Sequence, residues 1–290
     1  MLPWYIVDDV ILRALEEDVH YLDLSCEYLF DSAQRGRAYL LANAPGVLCG
    51  GEIFVRVFTL LDEAIEAEVR VKDGGTFQKG DVLLEIEGPV AALLQGERTA
   101  LNLLQHLCGI ATMTANVVEA VKGTGALVCD TRKTLPGLRA LQKYAVTCGG
   151  GRNHRFNLSD GVMLKDNHID ACGSIASAVK KVREKVGHMV KIEVETRNFD
   201  EVKQALAAGA DVIMLDNMSV DEMRTAVQYV RAHEKSLVPL EASGDITIEN
   251  AREIASAGIN ILSLGTLTHS VKAMNISMRM RQGGLGICFP

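Results

Sequence analysis

The 290-residue sequence has no Cys-x-x-C pair, no long apolar run, no excess of basic charge and no dinucleotide-type glycine fingerprint. Each absence removes a class of protein. The seven cysteines, Cys26, Cys49, Cys108, Cys129, Cys148, Cys172 and Cys288, are odd in number, and several lie in apolar runs such as "ALVCD". They read as buried, reduced thiols of a cytoplasmic protein, not as a disulfide frame or a zinc site. No stretch is apolar for long enough to span a bilayer. The opening "MLPWYIVDDVILRALEED" gains acids early and lacks the basic start of a signal peptide. A net charge of −7 argues against non-specific nucleic-acid binding. With 48% hydrophobic and 23% charged residues, the chain has the composition of an ordinary globular enzyme, long enough for one large domain or two smaller ones.

Against that acidic background stands a cationic island. From Asp130 to His168 there are seven Lys or Arg (Arg132, Lys133, Arg139, Lys143, Arg152, Arg155 and Lys165) against three acids, a local +4 that leaves −11 for the rest. A positive island in a negative protein points to a small anionic ligand held in one place.

The chain changes character near residue 108. Before it, "GRAYLLANAPGVLCG" and "EAEVRVKDGGTFQKGDVLLEIEGPV" read as short strands joined by turns at Lys72–Gly75 and Lys79–Asp81, an antiparallel α+β layer. A long apolar helix follows, with a bend expected near Gly109. After residue 125, apolar strand candidates recur at 126–130, 161–165, 190–195, 211–216, 237–244 and 260–265, with helical patterns between them. Two of these end in a capping glycine, and "SVDEMRTAVQYV" opens on a Ser219/Glu222 capping box. Buried strands alternating with helices mean a parallel sheet, and a barrel is the favoured form. The expected divisions are 1–108 for a mainly N-terminal domain, 109–272 for a barrel domain and 273–290 for a segment returning to the N-terminal domain.

In a parallel barrel the carboxyl ends of the strands share one rim, where active sites form. Asp130, Lys165, Glu195, Asp216, Glu241 with Ser243, and Gly265 occupy those ends. Arg132, Lys133, Arg155 and Lys165 are the anion-binding side: Arg presents a planar fork to carboxylates and Lys a point charge to phosphates. Gly149, Gly150 and Gly151 permit close backbone approach. "EASGDITIEN" and "LSLGTLTHS" each place a glycine before a helix start, open to two readings: a phosphate site, frequent in the last two loops of such barrels, or ordinary helix capping. Glu195 and Asp216 are open to two readings, as Mg²⁺ ligands through water or as neutralisers of the nearby cations. His154 could touch ligand or orient its neighbours, and His168 reads as structural. Together these imply two anionic substrates, one a phosphosugar, and chemistry by position and electrostatics.

The segments "GERTALNLLQHLCGIAT", "DTRKTLPGLRALQKYAVTCGGGRNHRFNLSDGVMLKDNHI", "IEVET", "IMLDN" and "EASGDIT" closely resemble the quinolinate phosphoribosyltransferase family over roughly residues 8 to 281. The resemblance implies an N-terminal α/β sandwich plus an incomplete, TIM-like α/β barrel, in a homodimer or a hexamer made as a trimer of dimers. It implies conversion of quinolinate and phosphoribosyl pyrophosphate to nicotinate mononucleotide, pyrophosphate and CO₂ with Mg²⁺, in NAD synthesis. Arg132, Arg155 and Lys165, with His154 beside them, would bind the quinolinate carboxylates, and Arg98 would reach across from a partner subunit. Thr131 would line the substrate site. Lys133 would meet the pyrophosphate, Glu195 and Asp216 the ribose and Mg²⁺, and Ser243, Gly244 and Gly265 the 5-phosphate. Lys133, Lys165, Glu195 and Asp216 would be the catalytic set.

The sequence departs from the family pattern in two places. Leu22–Cys26 replaces the usual G-D-L-T-T, and Asp245 stands where a second glycine often follows Ser-Gly. The Asp245 side chain is expected to point away from the phosphate. A molybdenum-transport accessory paralogue and a non-catalytic sensor of phosphosugars or pyridine carboxylates are the competing readings.

Overall fold

The computed structural model describes residues 2–233 and 238–281. Leu237 of the expected strand 237–244, residues 282–290 of the expected C-terminal segment, and Cys288 lie outside the described residues. In chain order the elements are α1 (Trp4–Asp18), α2 (Leu24–Leu29), β1 (Arg35–Ala42), β2 (Gly46–Val47), α3 (Gly51–Leu61), β3 (Glu66–Val69), β4 (Thr76–Phe77), β5 (Val82–Pro89), α4 (Val90–Ala120), β6 (Leu127–Cys129), α5 (Arg139–Cys148), β7 (Val162–Leu164), α6 (Asp166–Cys172), α7 (Ile175–Arg183), β8 (Ile192–Thr196), α8 (Phe199–Ala207), β9 (Val212–Asp216), α9 (Val220–Ala232), β10 (Leu240–Ser243), α10 (Ile248–Ser256), β11 (Ile261–Ser263), α11 (Thr266–His269) and β12 (Ile276–Met280).

These fall into two compact units. The first comprises residues 2–115, Leu135–Gly150 and 268–281. Its main sheet is antiparallel in the order β12-β1-β5-β3, with β12 paired to β1 from Ala38↔Met280 to Ala42↔Ile276. Along β1, Gly36, Ala38, Leu40 and Ala42 are buried while Arg35 and Arg37 are exposed, the alternation of a sheet with one face on a core. Phe54 and Phe58 of α3, 5.0 Å between ring centroids, are fully buried in this unit, as are Leu84 of β5 and Leu93 and Leu104 of α4.

Helix α4 continues through Gly109. A Cβ on Gly109 would lie 2.3 Å from the Lys272 carbonyl oxygen, so the glycine serves a close approach of chain. Gly149 is similar: its missing Cβ would fall 2.4 Å from the Ala111 carbonyl oxygen, so its close approach is to α4. The altered Leu22–Cys26 segment folds conventionally. Asp23 caps α2 by accepting from Ser25 N–H at 2.8 Å and Cys26 N–H at 3.1 Å.

The second unit comprises residues 116–134 and 151–267. Its six strands are parallel in the order β6-β11-β10-β9-β8-β7, with β6 and β7 as the outer strands. Ile213, Met214 and Leu215 of β9 and Leu240 and Ala242 of β10 are buried in continuous runs, as strands covered on both faces must be. The Ser219/Glu222 capping box forms at α9, and Gly209 and Gly258 follow α8 and α10 with φ of +76° and +96°. The chain is therefore α/β, an antiparallel N-terminal domain plus an incomplete, TIM-like parallel barrel. No described helix is long and apolar enough to cross a membrane.

Candidate active site

The strand period of two decides which side chains of the parallel unit share a face. On β8 it puts Glu193 and Glu195 together, on β9 Met214 and Asp216, on β10 Glu241 and Ser243, and on β11 Ile261 and Ser263. The register sets Glu195 beside Met214, Met214 beside Glu241, and Asp216 beside Ser243. Residues from Glu193 to Ser263 thus meet at the carboxyl ends of adjacent strands.

Lys165, just after β7, points its Nζ to Glu195 Oε2 at 2.6 Å. The two side chains thus form an ion pair. Lys165 also begins α6, where its backbone N–H donates to His168 Nδ1 at 3.0 Å, so His168 is the structural group expected. After β6, Thr131 Oγ1 accepts from Lys133 N–H at 3.0 Å and the Arg132 carbonyl accepts from Thr134 N–H at 2.9 Å, a tight turn that presents Arg132 and Lys133. Arg155 Nη1 donates to the Gly161 carbonyl at 2.9 Å. Burial lowers the Arg155 pKa, and the charge of Arg132 lowers it further, while Glu193 acts in the opposite sense. Two guanidinium groups therefore sit close enough to oppose each other, an arrangement that an anionic ligand relieves.

The turn after β10 is built on Gly244, with φ +96°. A Cβ there would lie 2.0 Å from Asn217 Oδ1, so only glycine fits. Asn217 N–H donates to the Ser243 carbonyl at 2.9 Å, and Asn217 Nδ2 donates to Asp216 Oδ2 at 3.1 Å, tying the ends of β9 and β10. Asp245 is exposed and has φ +45°, a left-handed conformation that glycine would adopt more readily. Gly265 follows β11 and immediately precedes α11. In the first unit, Arg98 lies exposed on α4.

The buried part of the site was not read from the sequence. His154 Nε2 lies 3.1 Å from Glu193 Oε2 and 3.5 Å from Glu241 Oε1, with the two carboxylates 6% and 2% exposed. Ser263 Oγ donates to Glu241 Oε1. Burial, and next the Glu193 charge, push the Glu241 carboxyl up to about 8. Glu241 is thus no open rim group, as its strand-end position suggested. The available signal was the alternation in "VKIEVE", which sets Glu193 on the same face as Glu195.

A parallel barrel whose strand ends gather arginines, a lysine–carboxylate pair and a glycine turn defines the class: an α/β-barrel enzyme that holds anionic substrates at its carboxyl rim. The model of the quinolinate phosphoribosyl transferase N-terminal domain matches residues 23–108, and that of the C-terminal domain matches residues 110–279. A Bacillus subtilis protein named "Probable nicotinate-nucleotide pyrophosphorylase (carboxylating)" is 49% identical over 262 residues, covering 90% of this chain and 89% of that one. The Mycobacterium leprae nicotinate-nucleotide pyrophosphorylase (carboxylating) is 41% identical over 276 residues, covering 93% and 95%. A crystal structure of NadC from Streptococcus pyogenes is 43% identical with a TM-score of 0.92, covering 97% of this chain and 98% of that one. The chain belongs to the quinolinate phosphoribosyltransferase family, the carboxylating nicotinate-nucleotide pyrophosphorylases of NAD biosynthesis.

Proposed function

We propose that the chain joins quinolinate to the ribose of phosphoribosyl pyrophosphate, releasing nicotinate mononucleotide, pyrophosphate and CO₂, as a cytoplasmic homodimer or a hexamer of three dimers. The observation that carries this reading is the gathering at one strand-end rim of the Lys165–Glu195 pair with the Arg132 and Arg155 segments, joined by His154, whose backbone N–H donates to Asp130 Oδ1 and whose Nε2 lies 3.1 Å from Glu193 on the Glu195 face. Forked cations set against one another suit a rigid diacid, which neutralises both.

In this reading Arg132, Arg155 and Lys165 grip the pyridine carboxylates, with His154 at their side and Thr131 lining the site. Lys133 receives the pyrophosphate. Ser243, Gly244 and Gly265 cradle the 5-phosphate, the positive φ of Gly244 leaving backbone open to it. Glu195 and Asp216 fit Mg²⁺ by donor chemistry, since carboxylate oxygens are the hard ligands it takes, in part through water. Bound there, the ion would offset charge on the departing pyrophosphate. Glu195 and Asp216 also face the ribose as its C1 becomes cationic. Quaternising the pyridine nitrogen makes loss of the C2 carboxylate possible without a side-chain base, provided that the site holds the diacid and excludes water.

Arg98, exposed on α4, completes the diacid site of a partner subunit. The large apolar side chains exposed on the N-terminal helices, Tyr5, Leu12, Leu24, Tyr28 and Leu29, support a subunit interface in that unit. The test is release of CO₂ and pyrophosphate from quinolinate plus the sugar donor, with and without Mg²⁺. Binding of both ligands without turnover would identify a sensor instead. Activity on nicotinate without CO₂ would identify another phosphoribosyltransferase.

A further inference from the structure

His154, Glu193, Glu241 and Ser263 form a buried polar chain within the parallel unit. The ring of His154 is engaged at both nitrogens. Arg155 N–H donates to His154 Nδ1 at 2.7 Å, so Nδ1 carries a lone pair and the ring proton resides on Nε2. That proton is directed to Glu193 Oε2 at 3.1 Å, and Glu241 Oε1 lies at 3.5 Å. The His154 backbone is held as well, its N–H donating to Asp130 Oδ1 at 2.9 Å, with Asp130 fully buried at 0% exposed. Residue 154 is thereby fastened to β6 through Asp130, to β8 through Glu193 and to β10 through Glu241, which Ser263 of β11 secures in turn. The next residue is Arg155, itself fixed by the Gly161 carbonyl.

This chain is costly. Two carboxylates buried side by side, with Glu193 Oε1 and the neighbouring Arg132 Nε buried and without hydrogen-bond partners, would be unfavourable for stability alone. A core of apolar side chains would serve the barrel better. The cost is understandable if the chain prepares the diacid site before substrate arrives.

We propose that Glu193 and Glu241 are positioning residues, which hold His154 as its neutral Nε2–H tautomer and through it aim Arg155 at the pyridine dicarboxylate. With both ring nitrogens turned inward, His154 offers the substrate only its ring carbons. This inference rests on the reading of Arg155 as a ligand of the diacid.

The experiment has two arms. In the first, ¹⁵N-histidine NMR of the wild-type protein at neutral pH, with His154 assigned by its loss in His154→Gln, reads the tautomer directly. The Nε2–H tautomer is expected. A proton on Nδ1, an imidazolium, or a metal bound at Nε2 would overturn the inference. In the second, steady-state kinetics are compared for Glu193→Ala, Glu193→Gln and Glu241→Gln. Glu193→Ala is expected to raise KM for quinolinate about tenfold or more, with kcat and KM for the sugar donor within about threefold of wild type. Glu193→Gln keeps an acceptor for Nε2–H and should restore most of that loss. An unchanged quinolinate KM in folded Glu193→Ala would overturn the proposal. If Glu193→Ala does not fold, Glu241→Gln decides: it keeps a neutral partner in place and must retain the Nε2–H signal. Wild-type protein that releases no CO₂ defeats the assigned activity but leaves the tautomer result standing. Wild-type protein that turns over with the proton on Nδ1 defeats this inference alone.

Discussion

The Lys165 ammonium, one residue past the end of β7, lies 2.6 Å from Glu195 Oε2 on the adjacent parallel strand β8. The lysine side chain is 46% exposed and the glutamate 12%, so the pair contributes little to folding. Its value lies in holding a cation ready for an anion. Lys165→Met should therefore leave the melting temperature nearly unchanged. It should cut kcat/KM for quinolinate about 10- to 100-fold, the worth of about 1.5–3 kcal/mol of hydrogen bonding to a charged group. A large loss of thermal stability with normal kinetics would contradict this.

Glu241 gives a pH signature. In the folded chain burial and the Glu193 charge push it up to about 8, against an ordinary 4.5. The folded state therefore keeps a proton that the unfolded chain releases, and stability falls as pH rises from about 4.5 to about 8, then levels off. Glu241→Gln cannot ionise. In urea unfolding, wild type should lose stability relative to this variant between about pH 5.5 and about pH 8.5. A constant difference across that range would show that Glu241 is not raised.

Asp73 organises the first unit. Its carboxylate accepts from Gly50 N–H at 2.9 Å and Gly51 N–H at 3.0 Å at the start of α3, and from Tyr144 Oη at 2.8 Å on α5. Asp73→Ala removes a helix cap and strands a half-buried hydroxyl. It should cost about 3 kcal/mol of unfolding free energy, against about 1 kcal/mol for Tyr144→Phe. The double variant should cost less than the sum, because the second change removes the stranded group.

Arg98 and Lys165 test the shared site. Neither Arg98→Ala nor Lys165→Ala protein alone should turn over well. After mixing, with subunit exchange verified by mass, a hybrid dimer contains one site free of both substitutions, and partial activity should return. Equal inactivity after proven exchange would place Arg98 outside the partner's site.

The βα rhythm of residues 126–265 was legible because strands covered on both faces are written as unbroken apolar runs, while the helices between them carry caps such as Ser219 and stops such as Gly209. The rim residues followed from that rhythm, since the last polar residue of each run marks a strand end. What Gly109 and Gly149 approach was not legible, for one reason. A glycine's sequence neighbours do not reveal which carbonyl will come within 2.3 or 2.4 Å of it. Asp73 read as a turn residue, which it is, but its bonds to Gly50, Gly51 and Tyr144 join positions up to 71 apart.

The sequence alone determined the class of the fold, the carboxyl-end address of the cationic island and the family, because these depend on periodicity and on local residue identity. Only tertiary structure decided that Glu193 and Glu241 lie buried against His154. That contact is set by strand register, and register emerges when whole strands pack, not from any neighbouring pair in the chain.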